Sequence, residues 1–261
     1  MRPFRECRLC LRERFLCKSH LLPRAMYKTL RSVTKHRNPN PITFGHGFAY
    51  QTSEQAQTYL LCEECEDRLR QGGENWVLAN CYRTGGMFRL RETLEHAAPM
   101  WADSDIQIYS AARIPAIDTA AMAYFSLSVF WRAAVHPWRV GSRRIDIDLG
   151  PYREPFRRFL MNEASFPACA ALSVLVGIES QMVEWAANLR SGNDNGFHSH
   201  RFTIPGITFM LSVGARVPAE YLTVSFAPTP EHFIAVYPAA EQRQLMEIYT
   251  AFRAAPLSAR L

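Results

Sequence analysis

A chain of 261 residues, 48% hydrophobic and 21% charged, can bury a substantial core, which excludes disordered and collagen-like polymers. The net charge of +6 is modest, but it is concentrated at the start: Arg2, Arg5, Arg8, Arg12, Arg14, Lys18, Arg24, Lys28, Arg31, Lys35 and Arg37 face only Glu6 and Glu13. Such a field attracts polyanions through counterion release, and it equally describes a solvated basic face.

In chain order, a Cys-rich turn leads into a strand over Phe15 to Leu22, stopped by Pro23, and a helix is predicted over Arg24 to Val33. His36 to Gly47, with two prolines, two asparagines and two glycines, reads as a surface loop. The apolar run Tyr59-Leu60-Leu61 enters a second Cys pair, and Glu63 to Gln71 reads as a helix that Gly72-Gly73 ends. Residues 81–117 read as a mixed connector, with turns at Gly85-Gly86 and Pro99.

Asp118-Thr119 has the character of a helix cap, and the helix it opens, running to Val135, is apolar nearly all round, as a central core helix must be. Tyr152 to Asn162 reads as an amphipathic helix with Arg153, Arg157 and Arg158 outside. Ala168 to Ile178 fits strand or buried helix equally well, because periodicity cannot separate the two in a short apolar run. Strands are predicted over Phe197 to Val213 and Tyr221 to Val236, and a last helix over Ala240 to Ala254. The fold class expected is α+β: a zinc-stapled module at 1–80, the connector at 81–117, and a larger mixed α+β domain of open role at 118–261.

Met1-Arg2-Pro3-Phe4-Arg5 lacks the apolar core of an export signal, and the longest apolar runs are broken by Arg132, His136 and Arg139, so a cytoplasmic protein with no membrane span is expected. An odd number of cysteines, seven, with four of them in two close pairs, points to metal rather than disulfides. Cys7-x-x-Cys10 and Cys62-x-x-Cys65 have the spacing that lets two thiolates from each pair meet one tetrahedral Zn²⁺. Cys17, Cys81 and Cys169 stand alone and read as small apolar residues.

Taken together, Cys7-x-x-Cys10, Ser19-His20-Leu21-Leu22-Pro23 and Leu60-Leu61-Cys62-x-x-Cys65-Glu66 resemble the zinc-bearing branch of the HNH-type, ββα-metal endonucleases, as a Ser-His-x-x-Pro variant. The resemblance implies a treble-clef module held by structural Zn²⁺ and hydrolysis of nucleic-acid phosphodiesters, with DNA the first expectation. It makes His20 the general base and sets Glu66 where the family's last residue faces a catalytic Mg²⁺ or Mn²⁺. Arg68, on the same short helix as Glu66, could hold a phosphate by paired hydrogen bonds. Asn38 and Asn40 lie in the loop where the family carries a middle Asn. Two departures matter: Ser19 stands where the family usually has Asp, and Glu66 where it has His or Asn. The larger domain would then select substrate, protein partner or activator.

Plainer roles stand beside each of these. His20 could be a packed histidine, Glu66 could stabilise a helix N-terminus, and Arg68 could pair with Glu74. The alternative function is a catalytically inactive zinc module that binds nucleic acid or a protein partner. His198-x-His200, with Asp194 nearby, would put two imidazoles on one side of a strand, but Asn193-Asp194-Asn195-Gly196 marks a hairpin turn there. Ser173, Ser180 and Ser212 lack a nucleophile-elbow context, and no phosphate-binding Gly-rich loop occurs.

Overall fold

The computed structural model describes residues 2–26, 42–45, 48–51, 54–83, 86–103, 106–140, 143–145, 147–177, 187–194 and 197–237. Asn38 and Asn40, most of the helix over Arg24 to Val33, Ser180 and the last helix from Ala240 lie outside the described residues, and of the loop expected over His36 to Gly47 the described part, Ile42–Gly45, is a strand instead. Among those described, no helix is long and apolar enough to cross a membrane.

The chain opens with β1 (Phe4–Glu6), β2 (Glu13–His20), β3 (Ile42–Gly45), β4 (Phe48–Gln51), β5 (Gln57–Cys62) and α1 (Glu63–Leu69). A π-helical turn at Arg70–Glu74 carries it into α2 (Asn75–Asn80), and then α3 (Arg89–Glu95), β6 (Trp101–Ala102), β7 (Gln107–Ser110) and α4 (Thr119–Val135) follow. The remainder is β8 (Trp138–Val140), β9 (Arg143–Ile145), α5 (Arg153–Leu160), β10 (Ala170–Gly177), β11 (Ala187–Asp194), β12 (Phe197–Ile204), β13 (Ile207–Val213), α6 (Ala219–Thr223) and β14 (Phe233–Tyr237). The molecule is thus mixed α+β, with a cysteine cluster near its start.

A small sheet, in the order β1-β2-β5, is antiparallel throughout. The large sheet runs β11-β12-β13-β10-β14-β7-β6, and in it only the β10–β14 pair is parallel. Residues 81–117 therefore supply α3 and two strands of that sheet. Within Ala168 to Ile178, Ala170–Gly177 is strand, because it pairs between β13 and β14 and is covered on both faces. The span Tyr221 to Val236 departs from expectation: Pro218 starts the short α6, and only Phe233–Tyr237 is strand.

Helix α4 carries the core. Asp118 caps it by accepting from the Ala121 amide at 2.8 Å, and every residue from Ala121 to Ala133 is buried. Phe125 and Phe130 meet the large sheet edge-on: Phe125 lies 5.7 Å from Phe209, and Phe130 lies 4.9 Å from Phe202. On its other side α4 receives the π-helical turn. A methyl at Gly73 would lie 2.4 Å from the Ala121 carbonyl oxygen and 2.7 Å from the Phe125 nitrogen. The glycine pair does not end the first helix as expected; the chain turns on through it, because only a residue without Cβ allows two helical backbones this close. One continuous apolar core runs from Cys7 and Leu9 through α4 to Ile234 and Val236.

Candidate metal centre and the cleft beside it

The first Cys pair sits in a tight knuckle between β1 and β2. The Cys7 amide donates to the Arg12 carbonyl and the Leu11 amide to the Cys7 carbonyl, both at 2.9 Å, which closes the turn. Leu11 takes φ +58, a left-handed conformation that a leucine adopts only where the surrounding bonds impose it. The knuckle is tied from two sides: the Arg8 amide donates to Leu60 at 3.2 Å, and Arg157 of α5 donates to the Leu9 carbonyl at 3.0 Å. Arg157, expected outside, is largely covered for this reason.

The second pair arises where β5 becomes α1. Cys62 is the last strand residue and the helix N-cap, so Cys65 falls in the first turn on the same side. Ligand atoms of Cys7, Cys10, Cys62 and Cys65 all lie within 4.8 Å of one another. The Cys10 and Cys62 sulfurs are 3.9 Å apart, and a tetrahedron with Zn–S of about 2.3 Å needs sulfurs about 3.8 Å apart. The Cys62 amide also points at the Cys7 sulfur, at 3.3 Å.

The Cys7 thiol is drawn down to about 4, chiefly because the Cys65 thiol donates to it, with backbone amides adding to the effect against burial. The Cys65 thiol is pushed up by the same contact. Such crowding of sulfur is costly without a cation and natural with one, so these four residues fit a metal ion such as zinc.

Beyond the cluster, β2 separates two environments by simple alternation. Ser19 points inward and is fully buried; its hydroxyl donates to Glu66 and accepts from the Leu61 amide at 3.2 Å. Burial raises the Glu66 carboxyl, against the pull of Arg132 and the Ser19 hydroxyl. Arg132 reaches down from α4 at 1% exposure, pairs with Glu74, and donates to the His20 carbonyl at 2.7 Å. Glu74 thus pairs with Arg132, not with Arg68.

His20 points the other way, into a cleft of about 710 Å³ lined by Lys18, His20, Arg24, Gln55, Gln57 and Arg139, with Glu54 the single carboxylate. Its imidazole is lowered below the ordinary histidine value by burial first, then by Arg24 and Arg132; a hydrogen bond with Gln55 opposes this. Burial and the cations around the ring therefore favour its neutral form. Arg139 comes from β8, beyond α4, where Trp138 turns inward, donating its indole N–H to the Arg132 carbonyl at 2.8 Å.

The three residues expected to act together do not share this cleft. Glu66 lies beneath β2, bonded to Ser19. Arg68 is exposed on a second cleft of about 1170 Å³, among Tyr124, Phe159, Phe166 and His232. His198 and His200 stack in parallel at 6.2 Å on β12, as the alternation predicts, but among the described residues the only cluster of three or more metal-ligating side chains is the cysteine one. The register of β11 with β12 brings Asp194 opposite Phe197, the expected hairpin end.

Arg132, Arg139, Gln55 and Gln57 were not singled out by sequence reasoning as parts of a site. Arg132 carried a usable signal: a lone charge inside an otherwise apolar helix must find a buried partner. Gln55 and Gln57 carried none. Comparison with protein-family models, with curated proteins and with solved structures finds no match to this chain.

Proposed function

We propose that the chain is an HNH-like zinc-module protein whose His20 cleft binds nucleic-acid phosphates and presents its imidazole as general base for phosphodiester hydrolysis. The observation that carries this reading is a half-buried imidazole, lowered by burial and by Arg24, facing a cleft with Lys18, Arg24 and Arg139 on its walls. The knuckle, the β2–β5 pairing and the start of α1 follow one another as the knuckle, hairpin and helix of a treble clef do. Zinc, when bound by the four cysteines, would cross-link these parts and hold β2 in place.

In this reading His20 takes a proton from water as the water oxygen attacks phosphorus, and the bond to the leaving oxygen breaks, that oxygen being protonated from solvent. Lys18, Arg24 and Arg139 stabilise the charge that builds on the phosphate oxygens. The donors described do not fit the Mg²⁺ or Mn²⁺ that the resemblance implies. Ser19 and Glu66 meet where the resemblance would set it, but Ser19 offers a hydroxyl instead of a carboxylate, burial raises the Glu66 carboxyl toward its neutral form, and the Arg132 guanidinium already pairs with Glu74.

That same Ser19–Glu66–Arg132 arrangement favours a second reading, in which the module binds nucleic acid without cutting it. The two separate in one experiment: plasmid, duplex and single-stranded substrates are incubated with wild-type protein and with His20→Ala, with Mg²⁺, with Mn²⁺ and with neither. Cleavage that His20→Ala lowers by roughly a hundredfold or more supports hydrolysis. Retention of nucleic acid with no cleavage in any condition supports binding alone, and no retention overturns both.

A further inference from the structure

We infer that the His20 cleft is a single-strand site, in which an unpaired base stacks on Tyr59 while the adjoining phosphate enters among Lys18, Arg24 and Arg139. The inference rests on the nucleic-acid reading above and adds the substrate class to it.

Strand register supplies the geometry. Lys18 pairs with Tyr59 and His20 with Gln57 across β2 and β5, so the four side chains stand on one face in two adjacent cross-strand pairs. Moving from one pair to the next advances about 6.8 Å along the strand, of the order of one nucleotide step in an extended chain. Lys18, His20 and Gln57 line the cleft, and Tyr59 is the cross-strand partner of Lys18, one pair along from Gln57.

Tyr59 also departs from its surroundings. It is 40% exposed, while the next three residues of β5, Leu60, Leu61 and Cys62, are buried. Among the described residues its hydroxyl makes no hydrogen bond and its ring no contact with another ring. The other exposed aromatic pair of the small sheet, Phe4 and Phe15, satisfies itself edge to face at 5.2 Å. An aromatic ring kept open on a sheet, one pair away from cations, is the arrangement that stacks bases in sequence-tolerant single-strand binding. Gln55 and Gln57 carry amides, which can donate to and accept from base edges that a duplex would hide. A paired base keeps its face within the stack, so a ring on an open sheet gains nothing from a duplex.

The test is fluorescence anisotropy with a labelled single-stranded DNA, a single-stranded RNA of the same sequence and the DNA duplex. The proteins are wild type, Tyr59→Thr, which keeps a β-forming residue, and Tyr59→Phe. The expected result is tighter binding of either single strand than of duplex, about tenfold weaker single-strand binding by Tyr59→Thr with duplex binding unchanged, and near wild-type binding by Tyr59→Phe. The DNA and RNA arms then identify the natural class. Single-strand binding that Tyr59→Thr leaves intact, or preference for duplex, overturns this inference and spares the nucleic-acid reading. Failure of wild type to bind any of the three overturns both.

Discussion

Arg132 illustrates how much one buried charge organises. Its guanidinium links Glu74, the His20 carbonyl and the field of Glu66, and its backbone carbonyl takes the Trp138 indole N–H. Removing one partner of such a pair leaves the other buried and uncompensated, so Arg132→Met is expected to cost about 3–5 kcal/mol of stability in urea unfolding. Adding Glu74→Gln should recover part of that loss, since the stranded charge is then gone. His200 makes a prediction of a different kind. Burial, with His198 beside it, lowers its imidazole from 6.5 to about 4, so the unfolded chain takes the proton first as pH falls. Stability from this group is complete above about pH 6.5 and is lost as pH drops toward about 4, by at most roughly 3 kcal/mol. Burial lowers His20 and His136 as well, which adds to the loss in the same direction. Unfolding midpoints measured across that range should fall for wild type and fall less for His200→Gln.

Between secondary elements, the π-helical turn approaches α4 too closely to admit a side chain. At Gly73 the obstacle to a side chain is backbone on α4, which cannot swing aside, so Gly73→Ala should destabilise by about 1–3 kcal/mol or more in thermal unfolding. A methyl at Gly72 instead meets the Tyr124 ring, itself anchored by its hydroxyl to the Leu160 carbonyl at 2.6 Å. The glycine pair shows where reading the chain alone fails: Gly-Gly after a helix is a stop signal locally, and only the neighbouring helix reveals it as a spacer. Elements whose signal is internal were legible, among them α4 with its Asp118 cap and all-round apolar surface, the two Cys pairs, and the β11–β12 hairpin. Elements fixed by distant partners were not. Strands β6 and β7 join the large sheet only through β14, far along the chain, and Arg157 is drawn inward by a carbonyl at Leu9.

Across the whole molecule, the zinc-type cluster, the His20 cleft and the large sheet are joined through α4. Residues expected as separate units meet there: His20 and Glu74 from the first part, Arg132 and Arg139 from the later part. The inward and outward faces of β2 were predictable by alternation once the strand was recognised. The separation of Glu66 and Arg68 from the His20 cleft was not, because it depends on how α1 lies against β2 and α4. Since Arg139 arrives from beyond α4, the proposed nucleic-acid binding would draw on both parts. Arg139→Ala is expected to weaken binding of any sequence and to lower the slope of log affinity against log salt by about one in titrations.

On the proposed reading, Cys7, Cys10, Cys62 and Cys65 hold one metal ion that fixes β2 and thereby the cleft. Metal content measured by elemental analysis of purified protein tests it most directly. One zinc per chain is expected in the wild type, and a Cys65→Ser protein that has lost the ion and unfolds at a lower temperature. A wild-type chain that is folded, metal-free and takes up no added zinc would contradict it.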